Sequence, residues 1–243
     1  MAITIKKESA VKPVKRVAIK PLSIGSVTVP IRGTSMLVVH NWSYKAKLEI
    51  LEKQKKQKKP KEIRDPWMDF CESLHWITDK PYDHTRLPVA GDKTYPTKED
   101  IKRAKFGFPA IGIKKAMVTA CSATALSKVA ARQAFFITPD LIEVISDTPP
   151  VMREDPVRIG QGTADLRYRG CWENWTMMVN VDFNLHLVTA ESIVNLLHQA
   201  GWSVGIGEHR PEKSCGNWGR FEIIQGEEEL DEEPPKKKKG AKK

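Results

Sequence analysis

A glycine-rich stretch near the end of the chain carries the residue types that bind anions. Its glycines, cations and imidazole are Gly201, Gly205, Gly207, Gly216, Gly219, His209, Arg210, Lys213 and Arg220. Glycine lets backbone N–H groups converge on an anion, and arginine adds a forked set of donors. The spacing fits neither a dinucleotide fingerprint nor a Gly-Lys-Ser/Thr phosphate loop. We therefore predict phosphate contacts and no cofactor here, the alternative being a structural turn.

A second stretch, residues 152–170 (MREDPVRIGQGTADLRYRG), is rich in arginine. Its four arginines are Arg153, Arg158, Arg167 and Arg169. Because arginine binds phosphates and the ring of Tyr168 could stack on a base, the stretch predicts a protruding hairpin that holds a single strand. An internal network, in which Glu154, Asp155 and Asp165 pair with these arginines, is an equal alternative.

A third stretch, FPAIGIKKAMV at residues 108–118, places Lys114 and Lys115 near the start of a predicted helix. The N-terminus of a helix favours a bound anion, so these lysines are further candidates for phosphate contact. An exposed helix face with ordinary lysines explains them equally well.

Catalytic chemistry finds little support in the sequence. The six histidines are scattered, and we find no metalloprotease, serine-hydrolase or paired-carboxylate signature. His40 and His209 are the weak candidates for a general acid or base. The four cysteines stand alone, without metal-ligand spacing. We therefore expect a protein that is not an enzyme and has no metal site.

The charge of the chain points to a polyanionic partner. The formal net charge is +10, and residues 1–226 contain 34 Lys or Arg against 24 Asp or Glu. A basic protein of this kind is typical of nucleic-acid binding. Solitary cysteines and the lack of an apolar span predict a cytoplasmic protein that does not enter a membrane. A lysine-rich strip between Lys45 and Arg64 is interpreted as a solvated helix end or as a phosphate-tracking surface.

Hydrophobic periodicity predicts alternating strands and helices. Strands are expected over residues 24–39, 132–138, 141–146, 175–188 and 221–224, and helices from Ser43, over 110–121 and over 190–200. We expect Pro30 to mark an edge or bulge and Gly201 to end its helix. The order predicts an α+β, ferredoxin-like (βαββαβ) domain. Its expected boundaries are an arm at 1–20, a domain at 21–225 with an insertion at 43–105 and a hairpin at 147–173, and a disordered tail at 226–243.

The residues quoted above resemble the RAMP superfamily, and in particular the backbone subunits of CRISPR effector complexes. FPAIGIKKAMV is similar to the family's first-helix motif at Pro109 and Lys114, and GNWGRFEI is similar to the end of its glycine-rich loop at Gly216, Gly219 and Arg220. The chain also resembles a group of phage and prophage proteins that share GTSMLVVH and MREDPVRIGQGTADLRYR.

The resemblance implies a ferredoxin-like core and binding of single-stranded RNA or DNA by a homo-oligomer that assembles along the strand. We expect this activity in phage or prophage genome processing or in an RNA-guided complex. Two alternatives stay open: a metal-independent endoribonuclease of RAMP type, and a phage assembly protein without enzymatic activity.

Overall fold

The structure, a computed structural model, describes residues 21–42, 64–83, 85–159, 162–214 and 216–224, with scattered positions between 44 and 55. The arm predicted at 1–20, most of the lysine-rich strip and the tail predicted at 226–243 lie outside the described residues.

The chain folds as a mixture of helices and antiparallel sheets, which confirms the α+β class. The strands are β1 (Ile24–Gly33), β2 (Leu37–Val39), β3 (Gly107–Pro109), β4 (Phe135–Thr138), β5 (Leu141–Glu143), β6 (Val151–Ile159), β7 (Thr163–Trp172), β8 (Thr176–Asn184) and β9 (Phe221–Ile223). The helices are α1 (Pro66–Ser73), α2 (Lys98–Arg103), α3 (Ala110–Ala120), α4 (Lys128–Ala134), α5 (Ala190–Ser203) and α6 (Pro211–Ser214).

The largest sheet has four strands in the order β4-β8-β1-β9, and all neighbours are antiparallel. Strand β8 alternates as its sequence predicts, with Met177, Val179, Val181 and Phe183 buried. Alternate side chains leave a strand on opposite faces, so these four residues line one face of the sheet. That face carries the core.

Helices α3 and α5 contact each other and pack on the strands of this sheet. In α3, Ile113 and Met117 are fully buried, as expected from their spacing of four residues. The side chain of Thr189 caps α5 by accepting a hydrogen bond from the Ser192 amide. Both helices therefore lie where the apolar periodicity places them.

Several local expectations were wrong. The strand expected over residues 24–39 is two strands, β1 and β2, which lie in different sheets. Residues 132–134 belong to α4, whose first turn is capped by Ser127, so the predicted strand begins only at Phe135. Gly201 does not end a helix, because α5 continues to Ser203. A Cβ at Gly201 would lie 2.1 Å from the Phe221 carbonyl oxygen, so this glycine permits close packing of α5 on β9.

Pro30 also lies elsewhere than expected, since β1 is an inner strand of the sheet. The Pro30 carbonyl accepts a hydrogen bond from the Ile224 amide at 2.9 Å, just beyond the residues of β1 that pair with β9. In a strand the nitrogen and the carbonyl of one residue face the same neighbour, so the Pro30 nitrogen faces the β9 side. Because the pairing of β1 with β9 ends there, the N–H that proline lacks is not needed for the sheet.

A second, three-stranded sheet positions the candidate site. Strands β6 and β7 form a long hairpin, and β2 adds to the other edge of β7. Helix α1 packs against β7, where a Cβ at Gly170 would meet Leu74 at 2.2 Å. One face of the hairpin is covered in this way, and the opposite face carries the charged residues.

Candidate nucleic-acid interface

The charged face of the hairpin is set by the register of β6 and β7. Arg153 lies opposite Arg169, and Asp155 lies opposite Arg167. Because residues two apart in a strand share a face, all four side chains project to the same side. Sequence spacing alone had placed these arginines in one stretch, and the register brings three of them together.

Asp155 is the centre of this group. It is 4% exposed, and its carboxylate accepts hydrogen bonds from Arg153 Nε at 2.8 Å and from Arg169 Nη1 at 3.1 Å. Arg169 is 5% exposed. A buried guanidinium needs such a partner, because an unpaired charge in the interior is costly.

A second carboxylate, that of Asp165, pairs with Arg167 and Arg64. Arg167 Nε lies 3.5 Å from it, and Arg64 Nη1 lies 2.7 Å from it. The internal Arg–Asp network that the sequence left as an alternative is therefore present. The nitrogens of Arg153, Arg167 and Arg169 that make these contacts are therefore not free to bind a phosphate.

Two histidines complete what we call the arginine–histidine cluster, defined as His40, Arg153, Asp155, Arg167, Arg169 and His209. Nη1 of Arg167 lies 3.2 Å from Nε2 of His40, and Nη1 of Arg169 lies 3.1 Å from Nε2 of His209. A guanidinium only donates, so Nε2 of His40 must be the unprotonated acceptor. The ring of His40 is therefore neutral in this arrangement, with its proton on Nδ1. Nε2 of His209 also lies 3.7 Å from the Asp155 carboxylate.

The environment of His40 agrees with a neutral ring. The pKa of His40 is lowered to about 4, chiefly by burial and then by the nearby charges of Arg169 and Arg167, against the smaller raising effects of Glu208 and Asp69. Burial and surrounding cations both disfavour an imidazolium ion. His40 is thus poorly suited to donate a proton near neutral pH.

The glycine-rich loop is built by close backbone approaches. Gly205, Gly207 and Gly219 have φ of 72°, 76° and 67°, in the left-handed region that glycine adopts without strain. A Cβ at Gly207 would lie 2.4 Å from the Val38 carbonyl oxygen, which keeps the loop against β2. His209 adopts φ of 55° without being glycine, an unusual conformation that places its ring beside Arg169.

Two tryptophans beside this loop were missed by the sequence reasoning. The Arg153 guanidinium lies 4.2 Å from the Trp218 ring centre, and the Arg220 guanidinium lies 4.7 Å from the Trp202 ring centre. The Trp202 side chain is 67% exposed. Such guanidinium–indole stacks are favourable. The signal was available, because both tryptophans stand beside glycines of the predicted loop.

The remaining sequence candidates lie apart from the cluster. Tyr168 is on the other face of β7, where it packs partly against the core and has Arg64 5.6 Å from its ring centre. Arg210 pairs with Glu212 at 3.0 Å, next to the exposed Lys213 on α6. Gly216 lies between α6 and β9, two residues before Trp218.

Three further candidates lie on other elements. Arg158 is exposed toward the tip of the hairpin. Lys114 on α3 lies 3.8 Å from the ring centre of Phe136, and burial lowers its pKa. Lys115, the next residue, is exposed. Neither lysine contacts the cluster.

The excess positive charge does not reside in the stretches that the structure describes almost completely. Residues 21–44 and 64–224 together hold 20 Lys or Arg and 20 Asp or Glu. Residues 1–20 hold six Lys or Arg and one Glu, and residues 45–63 hold eight Lys and three Glu. The net charge of +10 is therefore concentrated in these two segments, since the tail after residue 224 is balanced.

Neither a metal-binding group nor a membrane-spanning helix occurs among the described residues. No group of three or more His, Cys, Asp or Glu side chains in this part of the chain could hold a metal ion. None of its helices has the length and apolar character needed to cross a membrane.

Comparison with known proteins gives a weak structural similarity. No protein-family model matches the chain, and no curated protein matches it significantly. The crystal structure of Cmr6 from Pyrococcus furiosus is 12% identical over 84% of this chain and 100% of that chain, with a TM-score of 0.35. A similarity this weak carries no argument, so the contacts of the described residues must support any function.

Proposed function

We propose that this chain binds single-stranded nucleic acid with little sequence preference. The observation that carries the proposal is the exposed indole of Trp202 with the Arg220 guanidinium 4.7 Å from its ring centre, at the edge of the glycine-rich loop. An exposed aromatic ring accepts any base by stacking, and a neighbouring guanidinium can reach the phosphate beside it.

The distribution of charge supports the same proposal. The two lysine-rich segments, residues 1–20 and 45–63, supply the positive charge that a phosphate backbone needs. Trp202 and Arg220 then contribute stacking, and the two lysine-rich segments contribute long-range attraction. The exposed cations Arg158 and Lys213 add to this attraction.

We further propose a ferredoxin-like core for the four-stranded sheet. The strand order β4-β8-β1-β9 supports it, because β1 and β4 flank β8 while β8 and β9 flank β1. Helix α3 lies in the chain between β1 and β4, and α5 lies between β8 and β9. Two interleaved strand–helix–strand units of this kind make up the βαββαβ arrangement.

The contacts of the histidines favour binding over RNA cleavage. A general base needs a free lone pair, whereas Nε2 of both His40 and His209 faces a guanidinium donor. We therefore propose that the chain is not a nuclease. Incubation of the protein with labelled RNA tests this directly: cleavage that His40→Ala and His209→Ala abolish would establish the endoribonuclease alternative instead.

Binding is tested by fluorescence anisotropy with labelled oligo-dT and oligo-U. We expect both to bind, and Trp202→Ala to weaken binding by about 10- to 100-fold, the loss of one stacked base. Leu185→Ala is the matched control, because Leu185 is also a large exposed apolar residue, at 50% exposure, just after β8. Unchanged affinity in Trp202→Ala would reject the stacking surface.

A further inference from the structure

Two buried polar atoms in the described part of the chain have no hydrogen-bond partner, and both belong to the arginine–histidine cluster. They are Nδ1 of His40 and Nε of Arg169. Buried polar atoms are nearly always paired in folded proteins. The coincidence of both exceptions in one cluster marks a place that is built to receive an acceptor.

Both atoms are hydrogen-bond donors. The Nε of an arginine always carries a proton. The Nδ1 of His40 carries the ring proton, because its Nε2 accepts from Arg167 at 3.2 Å. A group that satisfies them must therefore supply acceptor oxygens, and more than one acceptor site.

The surroundings of His40 keep its ring neutral. Burial is the largest cause of its lowered pKa, the charges of Arg169 and Arg167 act in the same direction, and those of Glu208 and Asp69 act against it. Because burial and nearby cations both disfavour an imidazolium ion, the ring keeps a single N–H to donate.

The cluster has a buried floor, formed by Asp155 and Arg169, and a partly exposed rim. The side chains of Arg153, Arg167 and His209 at the rim are 33%, 32% and 34% exposed, whereas those of Asp155 and Arg169 are 6% and 5% exposed. The rim is therefore the side from which a ligand would reach the floor.

We propose that the floor of the arginine–histidine cluster is a phosphate-binding subsite, in which Arg169 Nε–H and His40 Nδ1–H donate to oxygens of one phosphate group. The proposal deepens the proposed function and rests on it, because the phosphate would belong to the bound strand.

Thermal unfolding at pH 7 tests the subsite with inorganic phosphate, against sodium chloride at equal ionic strength. We expect phosphate at about ten times its dissociation constant to raise the melting temperature by about 3–6 °C beyond chloride. A shift no larger than that of chloride would overturn the subsite. Oligonucleotides with and without a 5′-phosphate then distinguish a terminal phosphate, which would bind more tightly, from internal phosphates, which would make the two equal.

Four variants identify the donors. Arg169→Lys keeps the charge but removes Nε–H, and His40→Gln keeps an acceptor near Arg167 but removes the donor at Nδ1, so both should lose the phosphate shift. His40→Asn keeps a donor near the Nδ1 position and should retain it, as should Arg32→Lys, at an exposed arginine outside the cluster. A phosphate shift preserved in His40→Gln would overturn the assignment of the donors. If Arg169→Lys fails to fold, the result for His40→Gln alone decides the assignment.

The experiments distinguish a failure of the phosphate subsite from a failure of the proposed nucleic-acid binding. Oligonucleotide binding without any specific effect of phosphate would remove the subsite and leave the proposed function intact. A phosphate shift that depends on Arg169 and His40, in a protein that binds no oligonucleotide, would establish an oxyanion site and reject the proposed function.

Discussion

The guanidinium of Arg169 links the hairpin to the glycine-rich loop, because its Nη1 lies 3.1 Å from Nε2 of His209. The same Nη1 donates to Asp155 on the neighbouring strand. A single buried side chain therefore ties β6, β7 and the loop together. The arrangement of this surface depends on polar contacts that must be satisfied as a set.

Removing the charge of Asp155 should destabilise the fold. In Asp155→Asn the 5%-exposed Arg169 would lose its closest counter-ion, and an uncompensated buried charge costs about 3–5 kcal/mol. The measurement is the free energy of unfolding in urea. Glu222→Gln, which breaks the Arg32 pair whose side chains are 61% and 41% exposed, serves as control and should cost at most about 1 kcal/mol. Equal effects of the two substitutions would show that Asp155 does not hold Arg169.

Acidification should weaken the fold through His40. Its pKa is about 4 in the folded chain, below the ordinary value of 6.5, so the unfolded state takes up the proton first. The stability is intact above pH 6.5 and falls as the pH drops toward 4, by about 1–2 kcal/mol at pH 5. Burial also lowers the pKa of His75 to about 4, which adds a loss of the same sign.

His40→Gln isolates the contribution of His40. We expect its free energy of unfolding to fall less between pH 6.5 and pH 5 than that of the parent. His198→Gln, at an exposed position on α5, should follow the parent. If the His40→Gln curve runs parallel to the parent curve, the ring is not held neutral by the cluster.

Gly219 should not tolerate a side chain. Its φ is 67°, and a Cβ would lie 1.7 Å from the Ile206 carbonyl oxygen. Gly219→Ala therefore displaces backbone as well as imposing strain, and we expect a loss above about 2 kcal/mol in urea unfolding. Gly162→Ala is the control, because no atom lies within 4 Å of the added Cβ. A Gly219→Ala protein as stable as this control would contradict the loop geometry.

The regular elements could be predicted because their periodicity is local. Ile113 and Met117 mark the buried face of α3, and the alternation from Met177 to Phe183 marks β8. The start of β4 could not be predicted, because the residues before Phe135 form a helix that packs Ala131 and Ala134 into the core. At such boundaries the packing of side chains in the core overrides the intrinsic propensity of the residues for helix or strand.

The candidate site was harder to predict for a different reason. The sequence shows Arg153, Asp155, Arg167 and Arg169 as one polar stretch, but whether an arginine meets a carboxylate or solvent depends on the register of β6 and β7. The contact between Arg167 and His40 is harder still to predict, because the two residues are 127 positions apart along the chain. Trp202 has no periodic signal, and its position beside Gly201 in the glycine-rich stretch is the clue that could have identified it.

The lysine-rich segment should supply much of the salt dependence of binding. A variant with glutamine at Lys53, Lys55, Lys56 and Lys58 removes four of the eight lysines in residues 45–63. Each lost contact between a lysine and a single-stranded phosphate should reduce the slope of log K against log salt by about 0.7. Glutamine at Lys102, Lys105, Lys128 and Arg132, which lie outside both lysine-rich segments, is the matched control and should change the slope less.

The most direct test of the central claim is the affinity of the parent protein for a labelled single-stranded oligonucleotide between about 50 and 200 mM salt. We predict binding of both DNA and RNA, weakening steeply with salt, and a further loss in Trp202→Ala at every salt concentration. No binding at the lowest salt, or binding that is independent of salt and of Trp202, would contradict it.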